Sequence, residues 1–235
     1  LPIILNGDTF DSIFPSDLKR YAPSAVRKDL VDKDAMINAT VEFAAGFLEP
    51  YVKQIRVIGR GNHEDAILRH HHYDMTAGLI DRLNAMGGNV QNGGYCGYVT
   101  FRMERDVKSG GSIRELAIYR HHGVGKGNAD VSKGIIEFNR VLQHHQDMDV
   151  VVLSHTHDKM ALQHPIVRRK TNGMPNVSEI WLVRTASYLQ YVEGNYATRS
   201  SHAIKPHGGV TIWMKITKAY HDSDIKEIKV DQKDF

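Results

Sequence analysis

Val150-Val151-Val152-Leu153-Ser154-His155-Thr156-His157 is the stretch on which the fold turns. A fully apolar run follows a helical segment and ends abruptly in a hydroxyl and two imidazoles. Ile55-Arg56-Val57-Ile58 has the same plan: it too follows a helical pattern, and it leads into Gly61-Asn62-His63-Glu64-Asp65. Strands this apolar suit the middle of a sheet covered on both faces. Polar residues bunched just beyond such strands belong to loops at the strand C-termini, where open α/β sheets hold their sites.

Outward from these two strands, further strand-like runs recur between turn residues at Ile3–Leu5, Tyr98–Met103, Leu116–Tyr119, Ile180–Val183, Val210–Ile216 and, as a late edge strand, Ile225–Val230. Helical spacing appears over 34–52, with Ile37, Val41, Ala44, Leu48 and Val52 on one stripe. Met75–Met86 repeats it with Leu79, Ile80 and Leu83 inward and Gly87-Gly88 as the stop. Asn128–His145 does so with Ile135, Phe138, Val141 and Leu142. Early strands alternate with helices and later strands follow one another directly. The expectation is therefore a mixed α/β (α+β) fold, a two-layer β-sandwich with helices packed outside.

The 235 residues are 41% hydrophobic, enough for one sizeable core, and no repeat or linker divides them, so residues 1–235 read as a single domain. A formal net charge of +3 with 24% charged residues does not force a nucleic-acid or membrane partner. The short basic run Val167-Arg168-Arg169-Lys170 reads as a solvated loop. No stretch reaches the ~18 consecutive apolar residues of a membrane span, and no signal peptide opens the chain, which predicts a cytoplasmic protein with no membrane partner. A single cysteine, Cys96, excludes an internal disulfide and reads as a buried, inert thiol. Histidine is the excess residue, at 14 dispersed copies. Metal chemistry or phosphate handling accounts for such an excess.

Four islands carry hard or borderline metal ligands at the ends of apolar runs: Asn6-Gly7-Asp8-Thr9-Phe10-Asp11, Gly61–Asp65, His121-His122-Gly123 and Ser154–His157. Asp8 has two carboxylate oxygens and can bridge two cations, as one imidazole cannot. Taken alone, Asn-Gly-Asp is a turn. Asn62 offers a neutral carbonyl oxygen, and Gly61 permits close backbone approach. His63, aimed differently, suits proton transfer or transition-state stabilisation, with Asp11 placed to hydrogen-bond its ring and hold it protonated. In an extended segment residues two apart point the same way, so His155 and His157 are expected side by side, within reach of neighbouring metals.

The order GD-x-x-D, GNHE, H-HG and S-H-x-H resembles the calcineurin-like metallophosphoesterase superfamily over nearly the whole chain. The resemblance implies a metallophosphoesterase-like sandwich holding two divalent metal ions, with Asp8 as the bridging ligand. It implies that Asn62, His122 and His155 complete the second metal site and that His157 binds the first. His63 would protonate the leaving group or stabilise the transition state, with Asp11 as its acidic partner. Two cations roughly 3.5–4 Å apart then polarise the phosphoryl oxygens and lower the pKa of a shared water. Mixed nitrogen and oxygen ligands suit Mn, Fe, Zn or Ni.

Ser154 stands where that family usually has Gly. Its opening D-x-H motif, which would supply two further ligands to the first metal, occurs nowhere in this sequence. Because the chain opens at Leu1 inside a strand, we expect the first strand and its D-x-H loop to lie upstream. The leading expectation is a metal-dependent phosphoesterase acting on phosphate mono- or diesters, small-molecule or nucleic-acid substrates being open. The alternative is a catalytically impaired binding or scaffold module on the same fold. Of the remaining histidines, His70-His71-His72 reads as a solvated helix end and His144-His145 closes a helix. His202 and His207 lie in a loop-like stretch, part of the 188–209 region where substrate choice would reside. Gly123, Gly125 and Gly127 around Lys126 suit a phosphate cradle or a flexible turn equally.

Overall fold

A computed structural model describes residues 1–17, 21, 26–31, 35–104, 113–123, 131–169, 173–188, 205–218 and 224–233. The proposed cradle residues Gly125, Lys126 and Gly127, the helix start at Asn128, Lys170, His202 and the 189–204 part of the expected substrate loop lie outside them. Among the described residues the fold is mixed α/β, with three sheets and five α-helices. The chain divides into two compact units, the first containing Leu1–Cys96 and the second Gly97–Leu189 and Ile204–Phe235.

In the first unit β1 (Ile3–Asn6), β2 (Ile55–Gly59) and β3 (Gln91–Gly94) form a parallel sheet in that order. Its helices are α1 (Lys28–Val31), α2 (Met36–Leu48), α3 (Asn62–His71) and α4 (Met75–Ala85). As the apolar run requires, β2 is central, and Ile55, Val57 and Ile58 are buried. Ile55 and Ile58 pack in a core with Val41, Ala45, Val52, Met75, Leu79 and Leu83. Ala45, not Ala44, is the fully buried alanine of α2, while Leu79, Ile80 and Leu83 all face inward as their spacing predicts. The N-cap of α4 is Asp74, whose carboxylate accepts the Ala77 N–H at 2.9 Å. Gly87 follows its end at φ +86°, a left-handed stop that glycine adopts without strain.

The second unit holds a five-stranded sheet ordered β4 (Cys96–Glu104), β5 (Ile113–His121), β6 (Val150–Leu153), β8 (Pro175–Thr185), β7 (Lys159–Arg169). It also contains α5 (Val131–His144) and the antiparallel pair β9 (Gly209–Lys218) and β10 (Asp224–Lys233). All four residues of β6 are buried, and it lies parallel to both neighbours, β5 and β8. Phe138 and Leu142 of α5 close the core over Val151 and Leu153, whereas Ile135, expected on that face, is 40% exposed.

Besides the short α1, three elements escape sequence reading. β3 is Gln-Asn-Gly-Gly, which has no strand propensity and is held by its backbone pairing to β2. β7 contains Pro165, tolerated because β7 is a sheet edge. α3 begins at Asn62, where the sequence predicts a loop. Cys96 is exposed, contrary to the buried thiol expected of it. Among the described residues no helix is long and apolar enough to cross a membrane.

Candidate metal centre

Two of the expected ligands, Asp8 and Asn62, lie in the first unit and three, His122, His155 and His157, in the second, in each case beyond the C-terminal ends of adjacent parallel strands. In the first unit β1 and β2 run side by side, with Asn6 opposite Gly59. Asp8 therefore emerges beside Gly61 and Asn62. The approach is closer than any side chain at 61 allows: a Cβ there would stand 2.1 Å from Asp8 Oδ1 and 2.5 Å from its backbone N. Gly61 has φ −109°, which any residue adopts, so contact alone demands glycine.

Glu64 joins the two loops. Its carboxylate is buried and accepts three backbone N–H groups, from Asp8 at 3.1 Å, Phe10 at 3.0 Å and Gly61 at 2.8 Å. Asp8 in turn accepts the His63 N–H on Oδ1 at 3.1 Å, in the first turn of α3. The positive end of the helix dipole favours its ionised form. Burial, and after it the charge of Asp8, pushes the Glu64 carboxyl above the usual carboxylate range, although the N–H groups of Phe10 and Gly61 pull the other way. Tyr95 is pushed up to about 12, by burial first and then by Asp8 and Asp65.

His63 Nδ1 meets the backbone carbonyl of Asp11. The Asp11 carboxylate is 3.6 Å from the same nitrogen and largely exposed. Asp11 thus reaches the His63 ring mainly through its main chain, where the sequence suggested its side chain. His70, His71 and His72 form the exposed end of α3, with His72 as its left-handed C-cap, as expected of a solvated helix end.

In the second unit β5 and β6 deliver His122 and His155 together. His121 lies opposite Leu153, and Ser154 N–H donates to His122 O at 2.9 Å. The two rings meet edge to face with centroids 5.3 Å apart, His122 being almost wholly buried. Gly123 has φ +116°, and a Cβ there would come within 2.9 Å of the His155 Cβ, so the residue after the imidazole must be small. The Gly123 N–H donates to His121 Nδ1 at 2.8 Å. Burial, then the neighbouring His122 and Arg120, pushes His121 below the usual imidazole range.

The expected side-by-side extension of His155 and His157 is not what forms. Both have left-handed backbones, φ +62° and +61°, and Thr156 N–H closes back onto Ser154 O at 2.7 Å. That bond makes His155 the apex of a tight γ-type turn, so alternation along a strand does not apply. Among the described residues six non-glycine positions have positive φ, and three of them, Asp8, His155 and His157, are candidate ligands. Strain of this kind persists only where surrounding structure enforces it, and it gathers at functional sites. Here the enforcement comes from Ser154 Oγ to Thr185 Oγ1 at 2.9 Å, Ala186 N–H to Asp158 O at 2.9 Å, and Lys205 paired with Asp158 at 2.6 Å. Neither Glu64 nor the partners of the 154–158 loop were singled out from sequence. Glu64 had a signal, standing three residues after Gly61 as the acidic member of a capping box.

No family model, curated protein or solved structure matches this chain.

Proposed function

We propose that this chain is a metal-dependent phosphoesterase of the calcineurin-like metallophosphoesterase type, hydrolysing phosphate mono- or diesters, with the two-layer sandwich that type implies. One observation carries the reading: the strained backbone at Asp8, His155 and His157, each just beyond the C-terminal end of a buried or part-buried strand. The donor chemistry fits divalent ions. One carboxylate, one amide oxygen at Asn62 and the imidazoles of His122, His155 and His157 make the mixed oxygen and nitrogen set suited to Mn, Fe, Zn or Ni. Bound cations of this kind lower the pKa of a coordinated water and polarise a phosphoryl oxygen.

Within this reading the chain's own groups have separate tasks. Asp8, held at the α3 N-terminus, supplies fixed negative charge. Asn62 and the three imidazoles complete the ligand set. His63, oriented by the Asp11 carbonyl, serves the leaving-group oxygen. The alternative reading is a binding or scaffold module on the same fold that has lost turnover. Replacing Asp8, Asn62 or His155 by Ala is expected to abolish Mn2+-dependent hydrolysis of an aryl phosphate. Mono-aryl and bis-aryl esters run in parallel would separate phosphatase from diesterase. Wild-type turnover in those variants refutes the hydrolase reading. Elemental analysis giving one metal or none per chain, with no turnover, establishes the scaffold instead.

A further inference from the structure

We propose that Arg184 is a positioning residue that holds His155 in ligating geometry by clamping both ends of the turn that presents it; this rests on the metal reading above. Arg184 lies on β8, opposite Leu153 of β6, and is 1% exposed. Its Nη1 donates to Ser154 O at 3.2 Å and also to Thr156 Oγ1. Those residues flank His155 on either side. Ser154 O is also the acceptor that closes the γ-type turn, so the guanidinium braces the bond that forces φ +62° on the imidazole. Nη2 is paired with Glu137 Oε2 of α5 at 2.5 Å, and the guanidinium carbon lies 5.3 Å from the Phe138 ring centroid.

An apolar side chain would fill this core position at less desolvation cost than a buried ion pair. What only the planar fork provides is simultaneous donation to a carbonyl, a hydroxyl and a carboxylate in fixed directions. Removing a group that orients a metal ligand typically weakens metal affinity about 10–100-fold.

The test varies the clamp and not the ligand. Thr156→Val removes the hydroxyl acceptor while preserving shape, Thr156→Ser restores it, and Glu137→Gln loosens the guanidinium from its other side. Calorimetric titration of each intact chain with Mn2+ is paired with thermal denaturation in chelator. Thr156→Val is expected to bind Mn2+ at least 10-fold more weakly than wild type. Thr156→Ser should return to within about 3-fold, and Glu137→Gln should fall between. A purely structural role would lower the melting temperature of Thr156→Val without a serine-rescued change in affinity. Wild-type affinity in both Thr156→Val and Glu137→Gln overturns the inference and leaves the metal reading standing. A wild-type chain that takes up no Mn2+ overturns the metal reading itself, and this inference with it. Should Thr156→Val fail to fold, Glu137→Gln decides by the same criterion.

Discussion

Replacing Gly61 by Ala places one methyl group at the tightest point between β1 and α3, and the structure says what must follow. Its Cβ would lie 2.1 Å from Asp8 Oδ1. A carbon–oxygen contact relaxes only near 3.5 Å, so the Asp8 loop must retreat by roughly 1.4 Å. That retreat breaks two bonds already at 3.1 Å, Asp8 N–H to Glu64 and His63 N–H to Asp8 Oδ1. Overpacking of this kind costs about 1–3 kcal/mol. Each bond lost from a charged acceptor adds about 1.5–3 kcal/mol, partly offset by relaxation. A total of about 3–6 kcal/mol in a chain of this size lowers the melting temperature by on the order of 10 °C. Gly46→Ala is the internal control. Gly46 sits on an exposed turn of α2 with nothing within 4 Å of a Cβ. There Ala should stabilise by about 0.5–1 kcal/mol through lost unfolded-state entropy. Scanning calorimetry of both variants in chelator separates the two effects. A Gly61→Ala chain melting within about 2 °C of wild type would refute the claim that contact with Asp8, and not backbone conformation, demands glycine at 61.

Two further outcomes follow from the same geometry. Glu64→Ala strips the acceptor from three backbone N–H groups and should cost about 3 kcal/mol or more in urea denaturation; a loss below about 1 kcal/mol would show that Glu64 is no clamp. His121 is held below the usual imidazole value and accepts the Gly123 N–H, so its folded form binds protons less readily than its unfolded form. Its contribution is therefore complete above about pH 6.5 and lost as pH falls from there through its lowered folded value. The wild type should lose stability over that window more steeply than His121→Gln, and parallel pH profiles would count against a neutral His121.

Much of the frame was legible in the residues. The runs Val150–Leu153, apolar at every position, and Ile55–Ile58, apolar but for the exposed Arg56, identified the two central strands, because a strand covered on both faces is apolar nearly throughout. Periodic Leu79, Ile80 and Leu83 identified the inward face of α4. The positions of Asp8, Asn62, His122 and His155 beyond strand ends were also visible, since a polar cluster that stops an apolar run marks where a strand nears its end. These are short-range properties, written within a few residues of each element.

Tertiary structure decided what depends on partners distant along the chain. Gln91–Gly94 is a strand only because β2 pairs with it, and Pro165 lies within a strand only because β7 occupies an edge. His155 is the apex of a turn, not a point on an extended strand, and Arg184 reaches that turn at Ser154, 30 residues away, while it is itself paired with Glu137, 47 residues away. Asp8 takes its orientation from Glu64, 56 residues away. A sequence window cannot contain such bonds. Local pattern chose which side chains leave the sheet, and long-range hydrogen bonding chose the directions in which they point.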